Sequence, residues 1–283
     1  MRFNIACIVP PNYPGVKAFD ELRETLRCAL RRLGHEVIET ANGFHADCLN
    51  VLFGGHLLGR HHHQQLPARV IVYNTEQLGS GAAVIRPHYT ELLSRCPVWD
   101  YSAANLRWLA ANVPDCRAVH LPVGFVPELR RIKPTYRQDI DVLFYGDIND
   151  RRESVLRRLV DARIGLRTVL NCFGAERDAL IARSKLVVNV HAFDTRIFEV
   201  VRVSYLLANG WPVVSELDDH TEIETDLRDA VAGAPADRFA EVVRSLLDDA
   251  VARRELAERG QRIFERRDAV AWTRAALAAT PLP

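Results

Sequence analysis

Just past an apolar, β-branched run at 186–190 stand His191 and then Arg196, Glu199 and Arg202, the last three at three-residue steps. On a helix that spacing puts a cation, an acid and a cation on one side. That side either borders the functional loop or forms the weak ion pairs of a solvated face, worth roughly 0.2–0.5 kcal/mol each. A second group is Tyr145-Gly146-Asp147-Ile148-Asn149-Asp150-Arg151-Arg152. Gly146 lets backbone approach a ligand and Asn149 or Asp150 can cap a following helix. The N-terminus of that helix, with Arg151 and Arg152, can hold a diphosphate. The plainer reading is a capped helix with exposed arginines. Lys185 precedes the 186–190 run, where a surface charge is the simpler reading. His191 follows it, where polar residues meet ligand or water. A third set comprises His56 in Gly54-Gly55-His56-Leu57-Leu58-Gly59, Glu76 in Tyr73-Asn74-Thr75-Glu76-Gln77, and Asp100 in Trp99-Asp100-Tyr101-Ser102. Each follows an apolar run, so a carboxylate or imidazole there can bind an acceptor hydroxyl or serve as general base. The plainer readings are a solvated Glu76 beside a helix cap and Ser102 as cap of a helix over 103–112. The 54–59 glycines miss the dinucleotide spacing, which excludes an NAD fingerprint. Consecutive His61, His62 and His63 point in different directions, so they read as solvated histidines rather than one metal shell.

These groups require particular elements to position them. The 186–190 run is too short for a helix, and 212–215 repeats its composition after Asn209-Gly210. Between them Ile197, Val200, Val201, Ser204 and Ala208 fall on one helical face, with Asp194 or Thr195 as cap. Two apolar strands joined by so short a helix form a parallel crossover. That puts 191–198 at the carboxyl end of the first strand, where open α/β sheets bind ligands.

The remaining chain repeats this alternation. Strands are expected at 3–9, 36–39, 48–53, 70–74, 98–101 and 119–121, with helices at 19–33, 89–94 and 103–112. After a break come strands at 141–145, 167–172 and near 230–231, and helices at 151–161, 175–184, 237–247, 250–266 and 269–279. Such alternation calls for parallel sheets covered by helices on both faces. The break at 122–134 holds three prolines, a glycine, Arg130, Arg131 and Lys133. It divides the chain into an N-terminal domain at 1–127, a linker at 128–137 and a C-terminal domain at 138–283, whose last helix can pack back on the first domain.

A length of 283 residues gives room for two cores, and a formal net charge of +1 argues against a polyanionic partner such as nucleic acid. Cys7, Cys28, Cys48, Cys96, Cys116 and Cys172 are scattered without a CxxC pair. That usage suits free thiols in a reducing cytosol and gives no zinc framework. Residues 1–10 read as a strand and turn rather than a signal peptide, and no apolar run reaches the roughly 18 residues of a membrane span. A cytoplasmic location is the expectation.

The segments DVLFYGDINDRR, FGAERDALIARSKLVVNVH and FEVVRVSYLLANGWPVVSE resemble the nucleotide-sugar-binding half of GT-B glycosyltransferases, in particular the bacterial glycosyltransferase-like or spore-coat-protein-like group. YNTEQL and VWDYSAANLRWL resemble the matching first half, so the resemblance spans about residues 70–216. It implies two Rossmann-like domains with parallel sheets facing across a cleft. A nucleoside-diphosphate sugar would be the donor substrate on the C-terminal domain, and a glycan or small-molecule hydroxyl the acceptor on the N-terminal one, with no cofactor and no metal. Gly146 corresponds to the glycine after the first strand of the donor domain, Arg151 or Arg152 to the basic residue at the diphosphate, and Glu199 to the acid near the ribose or donor sugar. Asn149, Lys185, His191 and Arg196 complete the expected donor set. Glu76, Asp100 or His56 would be the base of an inverting reaction, whereas a retaining enzyme needs none. The family pattern has two glutamates eight positions apart, the second five before a Gly-x-Pro turn; here that second position is Tyr205. Two rival readings are a catalytically silent nucleotide- or glycan-binding module and a two-domain nucleotide-sugar epimerase.

Overall fold

The computed structural model describes residues 1–79 and 81–282. The chain forms two compact units, Met1–Val126 with Asp268–Pro283, and Pro127–Arg267.

In the first unit β1 (Arg2–Cys7), β2 (Glu36–Ala41), β3 (Leu49–Phe53), β4 (Val70–Asn74), β5 (Pro97–Asp100) and β6 (Arg117–His120) form one sheet in the order β2-β1-β3-β4-β5-β6. All of its pairings are parallel. Every residue of β3 and β4 is buried, as continuous apolar runs covered on both faces require. Helices α1 (Asp20–Arg32), α2 (Arg60–His63), α3 (Pro87–Arg95) and α4 (Ala103–Asn112) belong to this unit. Ser102 caps α4 by accepting from Asn105 N. The strand order reverses between β1 and β3, so loops leaving their carboxyl ends diverge and open a crevice there.

The second unit repeats the plan. Strands β7 (Ile140–Tyr145), β8 (Leu166–Val169), β9 (Ser184–Asn189), β10 (Val213–Glu216) and β11 (Ala232–Ala234) run in the order β11-β10-β9-β7-β8, again all parallel. Their helices are α5 (Asp150–Asp161), α6 (Gly174–Arg183), α7 (Val200–Ala208), α8 (Thr225–Arg228), α9 (Phe239–Asp248) and α10 (Ala250–Glu265). Val142, Phe144, Leu186, Val188 and Val214 meet Leu156, Leu159, Phe239 and Val243 in its core. The reversal lies between β7 and β9.

The last helix, α11 (Ala269–Ala279), joins the first unit. Trp99 Nε1 donates to Thr280 Oγ1 at 2.8 Å, and a Cβ on Gly124 would lie 2.7 Å from the backbone of Ala269. Residues 128–137 form no free tether, because Arg131 N and Ile132 N both donate to Asn209 Oδ1 at 2.8 Å and Thr135 N donates to Ala182 O. One side-chain amide at the end of α7 supplies the partner that this proline-interrupted stretch cannot find within itself.

Helix α7 begins at Val200, later than its apolar spacing suggests. Phe198 N donates to Glu222 O and Glu222 N to Arg196 O, which pairs Ile197 with Glu222 and keeps 196–198 out of the helix, and Arg196 is left-handed with φ 49°. Neither Asp194 nor Thr195 therefore caps the helix; Glu199 occupies the cap position with its carboxylate turned elsewhere. Strand β8 stops at Val169 because Asn171 and Gly174 take positive φ. His63 is buried rather than solvated, while His61 and His62 are exposed. Among the described residues no helix is long and apolar enough to cross a membrane, and no three His, Cys, Asp or Glu side chains converge as metal ligands.

Candidate functional site

The carboxyl ends of β7, β9 and β10 bring most of the expected donor-binding residues together. Gly146 leaves β7 with φ 130°, a conformation that excludes side chains and bares the backbone at the strand end. Asn149 then caps α5 by accepting from Arg152 N at 3.0 Å, while its Nδ2 donates to Ala192 O at 2.6 Å. One asparagine thus ties the start of α5 to the loop after β9.

Arg151 lies on the protein side of this arrangement. It forms a two-pronged pair with Glu216 at 2.8 and 2.6 Å and also donates to His191 O at 2.8 Å. The hydrogen bond to Glu216 raises the Arg151 pKa, and the Glu216 side chain is only 5% exposed. Arg152 is buried, donating to Val190 O at 3.0 Å and Asp147 O at 2.7 Å. Burial, with Arg202 as a like-charged neighbour, pulls its pKa down to about 10. Both arginines are engaged with the protein. They shape the loops after β7 and β9 rather than present guanidinium to solvent.

Glu199 is equally occupied. Its Oε2 accepts from His191 Nδ1 and Asn189 Nδ2, each at 3.0 Å, and its Oε1 accepts from Ala192 N at 3.0 Å. Burial pushes its pKa up, but the hydrogen bond and electrostatic influence of His191 and the positive charges of Arg202 and Arg152 outweigh that and leave it at about 2. His191 itself is 1% exposed, its Nε2 3.4 Å from Thr221 Oγ1. A carboxylate offers about four acceptor positions, so three protein donors leave Glu199 room for one more partner.

Two expected members fall elsewhere. Lys185 sits near the amino end of β9, paired with Asp141 at 2.6 Å, on the far side of the sheet from the β7 and β9 loops. Its sequence place just before a strand means the strand carries it away from the carboxyl edge. Arg196 pairs with Asp218 in the loop after β10, and the late start of α7 takes it off the helix face it was expected to share with Glu199.

Arg202 takes that place. A Cβ built on Gly146 would lie 2.5 Å from its Nη2, so the guanidinium fills the space over the bared backbone. Its Cζ lies 5.4 Å from the Phe144 ring centre and 5.7 Å from that of Tyr145. Glu216 is the other contributor that pattern reading missed; its place at the last residue of an apolar strand was the available signal.

In the first unit the three candidate bases divide. Asp100 is fully buried and accepts from Asn74 Nδ2 and Ser102 N, both at 2.7 Å, and from Asn105 Nδ2 at 3.2 Å. Burial lifts its pKa to about 7 against those hydrogen bonds. With no exposure it anchors the loop instead of meeting an acceptor. Asn74 relays that anchor, since its Nδ2 also reaches Glu76 O and its Oδ1 accepts from Tyr89 Oη. Glu76 and His56 remain at the edge, each side chain 20% exposed, with Glu76 Oε1 3.4 Å from His56 Nδ1. Burial lowers the His56 pKa, with Glu76 partly opposing it.

No family model matches the chain. An uncharacterized protein, L140, of Acanthamoeba polyphaga mimivirus is 26% identical over 190 residues, covering 63% of this chain and 59% of its own length. The chain therefore spans somewhat over half of that relative. Among solved structures the chain is similar to T4 phage BGT in complex with its UDP-glucose substrate (TM-score 0.63, 12% identity, 100% of each chain). It is also similar to Anabaena HepE in complex with UDP and glucose (TM-score 0.61, 12% identity, 97% of this chain and 98% of the other). At such identities the likeness concerns the fold: two all-parallel α/β domains of GT-B type.

Proposed function

We propose that this chain transfers a sugar from a nucleoside diphosphate to the hydroxyl of a glycan or small molecule, without a metal ion. The observation that carries the reading is the convergence, where the second sheet reverses, of the bared backbone at Gly146, the capped start of α5, and a charge cluster around Glu199. That position in an open α/β sheet takes phosphorylated ligands, and fixed positive charge stabilises a diphosphate as it leaves. The known complexes of similar fold support the substrate class, since T4 phage BGT and HepE hold UDP-glucose and UDP.

For the acceptor step we assign His56 as base and Glu76 as the group that positions it. His56 Nδ1 lies 3.4 Å from Glu76 Oε1 and has no hydrogen-bond partner among the described residues. With its pKa lowered by burial, the imidazole is neutral at pH 7 and able to accept a proton. The acceptor hydroxyl gives its proton to His56 as its oxygen bonds to the anomeric carbon. The sugar–phosphate bond breaks with its electron pair on the diphosphate. A single displacement of this kind inverts the anomeric centre.

The test is a thermal-shift screen with UDP, GDP, ADP, CMP and dTDP sugars, followed by acceptor-dependent release of nucleotide in the presence of EDTA. NMR of the product should show inversion. The rate should hold as pH falls to 6.5 and decline only below it, because His56 titrates below that value. Glu76→Gln should move the acid limb further down by removing the influence that raises the His56 pKa. Retention of configuration, or an unchanged profile in His56→Ala, would remove His56 from the reaction. Donor hydrolysis and transfer both absent would favour the silent binding module.

A further inference from the structure

We propose that Arg202, rather than the paired arginines that open α5, is the side chain that grips the diphosphate of the donor. This rests on reading the site as one for a nucleoside-diphosphate sugar, and assigns a ligand contact within it. Three guanidiniums stand near the carboxyl ends of β7 and β9, and their surroundings separate them. Arg151 has the carboxylates of Glu216 and Asp194 and a carbonyl as partners, and Arg152 has two carbonyls and the Glu199 carboxylate at 3.7 Å. The Arg202 guanidinium makes one hydrogen bond among the described residues, to the neutral Asn189 Oδ1 at 3.3 Å, and has no ion-pair partner there. A guanidinium carries five N–H groups, so most of its donors have no protein acceptor.

Its position is fixed all the same. Arg202 lies in the first turn of α7, and the rings of Phe144 and Tyr145 at the end of β7 flank its guanidinium. The third boundary is Gly146, where any Cβ would collide with Nη2. A flat cation held between rings, over bare backbone at a sheet's reversal point, is preorganised for two phosphoryl oxygens at once. Arg151 is paired with Glu216 and Asp194, and Arg152 lies 3.7 Å from Glu199, whereas no ion pair holds Arg202 among the described residues. A diphosphate arriving at Gly146 meets that guanidinium.

The experiment is calorimetric titration of the intact chain and of Arg202→Gln, Arg202→Lys and Gly146→Ala with UDP, GDP, ADP and dTDP. The best binder is then compared with its monophosphate and its free nucleoside. Loss of a charge-assisted grip on phosphate corresponds to about 10- to 100-fold in affinity. Arg202→Gln should weaken the diphosphate by that factor, the monophosphate less, and the nucleoside not at all. Arg202→Lys should recover part of the loss, and Gly146→Ala, which displaces the guanidinium, should resemble Arg202→Gln. Undiminished diphosphate affinity in Arg202→Gln overturns the assignment while leaving the donor site standing, as does an equal loss for diphosphate and nucleoside. If the native chain binds none of the four diphosphates, the functional reading falls and this inference with it.

Discussion

Glu199 shows what a single residue contributes here and how much of it a pattern can reveal. An acid just past an apolar run, at an i+3 step from two arginines, is visible in the sequence. That its oxygens receive His191, Asn189 and Ala192 N is not, because those contacts depend on a loop whose backbone is pinned from Glu222. The consequence is measurable. Its pKa falls from 4.5 to about 2 on folding, so the carboxylate stabilises the native state fully above pH 4.5, and that contribution disappears as pH drops toward 2. The shift corresponds to stability on the order of 3 kcal/mol. Glu199→Gln should therefore lose stability of this order at pH 7 and flatten the urea-midpoint profile between pH 4.5 and 2. A variant whose profile kept the native slope would show that another group carries it. The same reasoning separates Asp100 from the other candidate bases, since apolar flanks and position alone could not show that three donors enclose it.

At the scale of elements, the alternation of strands and helices was legible because each buried strand reads as an apolar run and each helix as a 3.6-residue period. The start of α7 was not. Its first turn is decided by hydrogen bonds that tie Arg196 and Phe198 to Glu222, more than 20 residues further along the chain, and they override local spacing. This shift is why Arg196 leaves the site while Arg202 enters it. The Arg151–Glu216 pair is a second long-range device, fastening the first turn of α5 to the end of β10. With Glu216 5% exposed, Arg151→Ala leaves a buried carboxylate without its charged partner, a change that costs about 3–5 kcal/mol. Replacing both residues, as in Arg151→Met with Glu216→Leu, should recover most of that loss, because a matched apolar pair avoids the stranded charge. Urea unfolding of the two single variants and the double variant measures the coupling. Additive losses would mean that the pair does not join these elements.

For the whole molecule, sequence reading separates two α/β halves but places their boundary by composition. Prolines and basic residues at 122–134 suggest a tether, whereas Leu129 and Ile132 are buried and the stretch is bonded to α6 and α7 of the second unit. The decisive partner is Asn209, which looks locally like part of a Gly turn. The chain end is the converse case, since 269–279 reads as one more amphipathic helix after α10 yet completes the first unit. Here α11 buries Ala269, Thr273 and Ala276 and gives Trp99, itself fully buried, its Thr280 acceptor. Removing residues 268–283 should therefore destabilise the N-terminal unit, although the cut lies at the other end of the sequence. The Trp99 indole N–H alone would lose about 1–3 kcal/mol when left without an acceptor. Exposure of the apolar surface beneath α11, along α1 and β6, adds to this. The fragment 127–267 contains every strand and helix of the second unit, so it should unfold in one cooperative transition and keep the affinity of its carboxyl-edge site for nucleoside diphosphate. Hydrogen exchange on the truncated chain separates the possibilities by location. Protection should fall in β5, β6 and α1 and persist in β7, β9 and β10. The reverse pattern would show that α11 supports the second unit and that the chain is divided differently.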